Sequence, residues 1–352
     1  MPTRSSALLL LAALGTACGG GGPSSPTNPG GNPTPTPPPG SPVSGYLFYD
    51  ENGNGTADGG EMVRLPSVGV TVGGQTGTTT AGGRFTLPSV PNGAQTAQAR
   101  GDTLPAYFTS PGVSLTVPAG ADVPLGARLA LGARNRPNIY MAFGDSITFG
   151  EGSSDGEGYV DDLAAQLRSF WGRADMVNDG QSGTRSFTGE ARIASSLARH
   201  RPAYALILYG TNDWNEAECR NAFPCYTINA LRSMIQDTRS AGAHPIVGTI
   251  PPVNPDFADR NPTERNDWVR RMNELIRQMA AQERAQLAEI HGDFLKQPSL
   301  PPLFADFLHP NDRGYSLLSQ SFFRAITQPL PGAAVALDDA GPFLFAPPGT
   351  RP

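Results

Sequence analysis

One short stretch constrains the chain more than any other. Asn138-Ile-Tyr-Met-Ala-Phe-Gly-Asp-Ser-Ile-Thr-Phe-Gly150 joins an apolar run, Ile139 to Phe143, to an abrupt Gly144-Asp145-Ser146. An amphipathic helical pattern follows soon after. A short apolar run bounded by such a turn reads as a buried strand. A serine at the end of that strand, just before a helix, sits where α/β proteins place reacting groups. Its hydroxyl can face the crevice while its own backbone N–H stays free to donate. Taken alone, the same residues would also serve as a turn that caps the next helix.

Three further blocks follow it. They are Asn178-Asp-Gly-Gln-Ser-Gly183, Tyr209-Gly-Thr-Asn-Asp213 and Asp306-Phe-Leu-His-Pro310, each near the end of an apolar run. Ser, Gly, Asn and His in that order resemble the SGNH (GDSL) hydrolase family, over residues 137 to 328. The resemblance implies a flavodoxin-like three-layer α/β/α domain that cleaves esters with no metal cofactor. It also implies roles. Ser146 would be the nucleophile, His309 the base and Asp306 the carboxylate that orients it. The backbone N–H groups of Ser146 and Gly180 and the amide of Asn212 would form the oxyanion hole.

The residues support part of this without the resemblance. A serine hydroxyl is a weak nucleophile and needs a base within reach. Of the four histidines, His200 ends a helical pattern before Pro202, where a cation suits the helix dipole. His244 precedes Pro245 with no carboxylate three residues earlier, and His291 lies between Glu289 and Asp293 in no recognised pattern. Only His309 has an acid three residues before it, Asp306. Gly152-Ser-Ser-Asp-Gly156 fits the Gly-x-Ser-x-Gly elbow, but that elbow needs a strand directly before it. Here it lies in a polar stretch and reads as loop.

Length bounds the organisation: 352 residues suggest two or three domains. A net charge of −5 and the lack of any Lys/Arg cluster leave no footprint for nucleic acid. Residues 1–17 read as an export signal, with Arg4, an apolar core from Ala7 to Leu14 and small residues before Cys18. Small residues before a cysteine resemble the lipobox of bacterial lipoproteins, which implies a lipid on Cys18 and anchorage to the membrane of the cell envelope. Gly15 departs from that pattern, and ordinary cleavage after Ala17 to a soluble secreted protein is the alternative. Residues 18–44 are nearly all Gly, Pro, Ser, Thr and Asn and read as a tether. In an oxidising compartment Cys219 and Cys225 would close a small loop, worth roughly 2 kcal/mol; two free thiols are the alternative.

Residues 45–134 carry short strand-like runs between Gly, Pro and Asn turns, the texture of a small β-sandwich. Inside them Asp50, Asn52, Asn54, Asp58 and Glu61 stand at places 1, 3, 5, 9 and 12, with Gly55 at 6 and the Thr56 carbonyl at 7. That is the oxygen spacing of an EF-hand calcium loop, set here between strands. It resembles the calcium-loop B-type repeats of bacterial surface proteins, which implies a transthyretin-like sandwich and a structural calcium ion. A polar hairpin without metal is the other reading. Beyond residue 137, strands and helices alternate as in a parallel sheet covered on both faces. The pattern predicts a helix over Glu190–Arg199 and a short strand over Leu287–His291. Residues 329–352 form an irregular tail.

The expected protein is an exported, lipid-anchored serine hydrolase that cleaves carboxylic esters through an acyl-serine. Removal of acetyl groups from polysaccharide, or lysophospholipase or thioesterase action, are narrower versions. A non-enzymatic surface adhesion protein is the alternative from another class.

Overall fold

Apolar side chains alternate along the early strands and saturate the later ones, and two kinds of sheet follow. The computed structural model describes residues 39–330. The expected export signal, Cys18, most of the tether and nearly all of the tail lie outside the described residues.

The first eight strands are β1 (Gly40–Tyr49), β2 (Gly69–Val72), β3 (Gln75–Thr78), β4 (Arg84–Pro91), β5 (Gly93–Ala99), β6 (Phe108–Thr109), β7 (Val113–Val117) and β8 (Val123–Leu129). They form two four-stranded sheets, ordered β4-β1-β8-β6 and β3-β2-β5-β7. In β4 the side chains of Phe85 and Leu87 are buried while Arg84 and Thr86 face out, the alternation of a sheet with one wet face. β1 starts inside the stretch expected to be tether, because Gly40 to Tyr46 pair antiparallel with β4. Val43, Leu47, Val70, Val72, Leu87 and Leu125 from the two sheets belong to one buried cluster.

A third sheet has five parallel strands: β9 (Ile139–Gly144), β10 (Asp175–Gly180), β11 (Tyr204–Leu208), β12 (His244–Gly248) and β13 (Gln286–Ala288). Every residue of β9 and β11 is buried, as expected of strands covered on both faces. Eight helices accompany them: α1 (Ser146–Phe149), α2 (Val160–Trp171), α3 (Ser186–His200), α4 (Ala217–Asn221), α5 (Thr227–Ser240), α6 (Pro262–Gln282), α7 (Ile290–Leu295) and α8 (Asp312–Thr327). Leu163 and Leu167 of α2 share a cluster with Phe322 of α8. Ile193 of α3, Met234 of α5 and Met272 of α6 share another, so the sheet is covered by two separate layers. The strand order is β10-β9-β11-β12-β13. It is the flavodoxin-like order, and its direction switches at β9, so the crevice opens at the carboxyl end of that strand.

The β-rich region is joined to the opposite end of this sheet. The Tyr107 hydroxyl donates to the Pro245 carbonyl at 2.6 Å and accepts from the Gln286 N–H at 2.9 Å. Tyr204 donates to the Ala106 carbonyl at 2.9 Å, and the Tyr107 ring stacks on His244 with centroids 4.5 Å apart. Tyr204, His244 and Gln286 are the first residues of β11, β12 and β13.

Two elements differ from expectation. α3 begins at Ser186, a turn before Glu190, because Asp213 caps it from another loop (below). The strand expected over Leu287–His291 stops at Ala288, where its ladder with Gly248 ends. The chain then turns into α7, with the Asp293 N–H donating to the Glu289 carbonyl at 3.1 Å.

Candidate active site

β9 delivers Gly144-Asp145-Ser146 to the switch point. No side chain fits at Gly144: a Cβ there would lie 2.1 Å from Thr148 Oγ1 and 2.5 Å from the Leu208 carbonyl. Asp145 caps the short helix α1, its Oδ1 accepting from the Ile147 N–H at 3.0 Å. Its Oδ2 is buried with no partner among the described residues. Desolvation pushes the Asp145 carboxyl up to about 7, and the charge of Asp213 adds to the rise. Ser146 opens α1, where a backbone N–H has no acceptor within the helix.

The Ser146 hydroxyl lies 2.9 Å from His309 Nε2, and His309 Nδ1 lies 2.8 Å from Asp306 Oδ2. Asp306 is fixed in turn, its Oδ1 accepting from the N–H groups of Leu308 and His309 at 2.7 and 2.6 Å. Burial acts against the Asp306 charge. The His309 ring and these two N–H groups outweigh it and hold the carboxyl below its usual range. The structure thus brings Ser146, His309 and Asp306 into one hydrogen-bonded line. The other histidines are elsewhere. His200 ends α3 and faces Asp179 at 3.5 Å. His244 and His291 are pushed down to about 4, mainly by burial.

The expected oxyanion donors are placed unequally. Asn212 is buried, and its Nδ2 donates to the Thr184 carbonyl at 3.0 Å, leaving one amide hydrogen. Gly180 differs from expectation, because its N–H donates to Asn178 Oδ1 at 3.0 Å. It is glycine for another reason: a Cβ would lie 2.2 Å from the Phe149 nitrogen, so it lets α1 pack against β10. Gly183 stands at φ +73° just before Thr184. No hydrogen bond among the described residues uses its N–H. The motif block held both glycines, but only the turn geometry separates their N–H groups.

Three buried or half-buried residues were not anticipated. Asp213 accepts from the N–H and hydroxyl of Ser186 at 2.9 and 2.6 Å and from the Thr227 hydroxyl at 2.7 Å. Arg265, from α6, donates to the Thr211 carbonyl at 2.7 Å and to Asn215 Oδ1 at 3.2 Å, bracketing Asn212. Arg192 donates to the carbonyls of Gly144 and Asp179 and lies 3.9 Å over the Phe143 ring. It thereby ties the ends of β9 and β10 together. Such contacts join distant segments and leave no local signal. In the loop after Asn212 the sulfurs of Cys219 and Cys225 are 2.10 Å apart. Gly152 to Gly156 form turns between α1 and α2, as their polarity suggests.

The loop after β1 lies toward the other end of β9, where Glu51 Oε1 accepts from Asn138 Nδ2 at 2.6 Å. Asp50 is 3 % exposed, with Oδ2 accepting from the Gly55 N–H and Oδ1 buried and unpartnered among the described residues. That orphaned oxygen suits a hard cation. Asp58 instead accepts from the amides of Asn52 and Asn54, and Glu61 from the N–H groups of Glu51 and Asp58. The Asn52 and Asn54 oxygens take the N–H groups of Asn54 and Thr56. Among the described residues no three His, Cys, Asp or Glu side chains are grouped to hold a metal ion. The loop therefore fits a calcium ion at Asp50 and departs from it at Asp58 and Glu61.

Sheet order and side-chain geometry together define a Ser-His-Asp site on a flavodoxin-like sheet. The chain belongs to the GDSL-like Lipase/Acylhydrolase family, whose model matches residues 142–317. It is 31% identical over 111 residues to the protein named Thioesterase 1/protease 1/lysophospholipase L1 of Escherichia coli (strain K12), across 31% of this chain and 50% of that one. The chain thus spans about half the length of the curated relatives it matches. Among solved structures it resembles Axe2, an acetylxylan esterase from Geobacillus stearothermophilus, at 20% identity and a TM-score of 0.45 over 55% of this chain and 96% of that one. A lipase/acylhydrolase from Enterococcus faecalis aligns at 21% identity and a TM-score of 0.44, over 54% of this chain and 95% of that one.

Proposed function

We propose that this chain hydrolyses carboxylic esters through an acyl-serine intermediate. The observation that carries the reading is the continuous line Ser146 Oγ, His309 Nε2, His309 Nδ1, Asp306 Oδ2 at the switch point of the sheet. His309 Nε2 takes the Ser146 proton as the oxygen attacks the ester carbonyl. Asp306 keeps the proton on Nδ1 and stabilises the imidazolium that forms. The N–H groups of Ser146 and Gly183 and the free amide hydrogen of Asn212 receive the oxyanion. One such donor is worth roughly 3 kcal/mol of barrier. Nε2 then protonates the departing alkoxide, and water repeats the sequence to release the acid. The chemistry requires no metal step.

The ester would be small, an acetylated polysaccharide, or a lipid or thioester substrate. A series of p-nitrophenyl esters of rising chain length, run beside acetylated xylan and a lysophospholipid, separates these. A surface adhesion protein would turn over none of them.

From the N-terminal pattern of Arg4, the apolar run Ala7 to Leu14 and small residues before Cys18, we also propose that the protein is exported and anchored by a lipid on Cys18, with soluble secretion after Ala17 as the alternative. Export gives Cys219 and Cys225 a disulfide; two free thiols in exported material would end that part. The β-rich region is read as a transthyretin-like sandwich with a calcium loop, in which Asp50 would anchor the ion and the Thr56 carbonyl would add a ligand. Asn52, Asn54, Asp58 and Glu61 would join it only by giving up their present hydrogen bonds within the loop. Calcium should then raise the melting temperature of the whole protein, by an amount set by its affinity. Asp50→Asn should remove that rise, and ester turnover should persist in EDTA. A calcium-independent melt would count against the site.

A further inference from the structure

We propose that Glu151 selects the substrate by the charge of its leaving group, favouring alcohols that are cationic or neutral near the ester oxygen over anionic ones. The proposal rests on the esterase reading and narrows it.

Glu151 Oε2 lies 3.1 Å from His309 Nε2, the same nitrogen that faces Ser146. Its backbone is held in place from two sides. The Glu151 N–H donates to the Ser146 carbonyl at 3.1 Å, and the Tyr315 hydroxyl donates to the Glu151 carbonyl at 2.6 Å. The next residue, Gly152, is pressed against the histidine loop: a Cβ there would lie 2.6 Å from the Pro310 carbonyl and 3.0 Å from His309 Cβ. The carboxylate is therefore presented to the catalytic nitrogen by the backbone of the nucleophile itself.

The placement bounds a distance to the substrate. In acylation the leaving oxygen must come within hydrogen-bond reach of Nε2, about 3 Å, to receive its proton. With Glu151 Oε2 3.1 Å from that nitrogen, the leaving oxygen cannot be more than about 6 Å from the carboxylate. No Lys or Arg among the described residues stands within ion-pair distance of Glu151. Of the other charged groups near this point, Asp306 is engaged by His309, and Asp145 is buried. Arg265 is tied to Thr211 and Asn215. The Glu151 side chain is 40% exposed, so solvent weakens its field without cancelling it. A unit charge on the alcohol, a few ångströms beyond the ester oxygen, should then change kcat/KM by roughly tenfold.

The test uses three acetate esters: acetylcholine, its neutral isostere 3,3-dimethylbutyl acetate, and acetoxyacetate, whose leaving group carries a carboxylate. For the wild-type protein kcat/KM should fall in that order, and added salt should compress the differences. Glu151→Gln should lower the acetylcholine value about tenfold relative to the neutral ester and raise that of acetoxyacetate. Equal ratios in wild type and Glu151→Gln, with circular dichroism unchanged, would overturn the proposal. If the variant does not fold, wild-type ratios that ignore ionic strength would overturn it equally. Failure of the esterase reading looks different: the folded wild type would leave even the neutral ester intact, and both claims would fall.

Discussion

The Asp213 carboxylate accepts two hydrogen bonds from Ser186, one from its backbone N–H at 2.9 Å and one from its hydroxyl at 2.6 Å. It accepts a third from Thr227, so one buried group fixes the first residues of both α3 and α5. Asn212 is its chain neighbour, so the amide proposed to receive the oxyanion inherits that rigidity.

Asp213→Ala should therefore damage stability and activity together. Three buried donors lose their acceptor, which costs on the order of 2–4 kcal/mol. A thermal melt should show the loss, and at a temperature where the variant stays folded kcat should fall more than KM rises. An unchanged kcat in a destabilised variant would show that Asn212 is held by other means.

Asp145 should leave a signature in the pH dependence of stability. Its carboxyl is pushed up to about 7 in the folded chain, mainly by desolvation, against an ordinary value of 3.8. Between those values the folded state binds the extra proton, so stability is lost as pH rises toward 7 and is flat above it. Asp145→Asn keeps the cap oxygen and removes the titration. From pH 5 to pH 8 the wild-type melting temperature should fall relative to that of the variant. Parallel curves would mean that the carboxyl is already ionised at pH 5.

Much of the site was legible because its residues cluster at strand ends. Ser146, Asn212 and the Asp306–His309 pair each lie in a short polar block after an apolar run. That the Gly180 N–H is engaged while that of Gly183 is left without an acceptor among the described residues was not legible, because it depends on which N–H Asn178 captures within the turn. Asp213, Arg192 and Arg265 act on segments far away in sequence. For the fold, strand and helix alternation foretold the parallel sheet. The early start of α3 depends on a remote cap, and the contact of the β-rich region with the sheet depends on single groups such as the Tyr107 hydroxyl. Hydrophobic periodicity carries no trace of either.

Tyr107→Phe tests that contact. Without the hydroxyl, the Pro245 carbonyl loses a donor and the Gln286 N–H loses an acceptor. The expected cost is about 1–3 kcal/mol, read as a lower urea midpoint for the whole protein. Because the two regions share a buried cluster, they should unfold in one transition. A β-rich region that melts separately, while the transition of the α/β sheet stays where it was, would contradict that coupling.

Attack of the Ser146 oxygen on the ester is best tested by the turnover of p-nitrophenyl acetate by Ser146→Ala. The substitution removes only that oxygen, and the fold, monitored by circular dichroism, should be unchanged. kcat/KM should fall at least a thousandfold, on the scale of losing a triad member. A correctly folded variant that keeps more than a few per cent of wild-type activity would contradict attack by that oxygen.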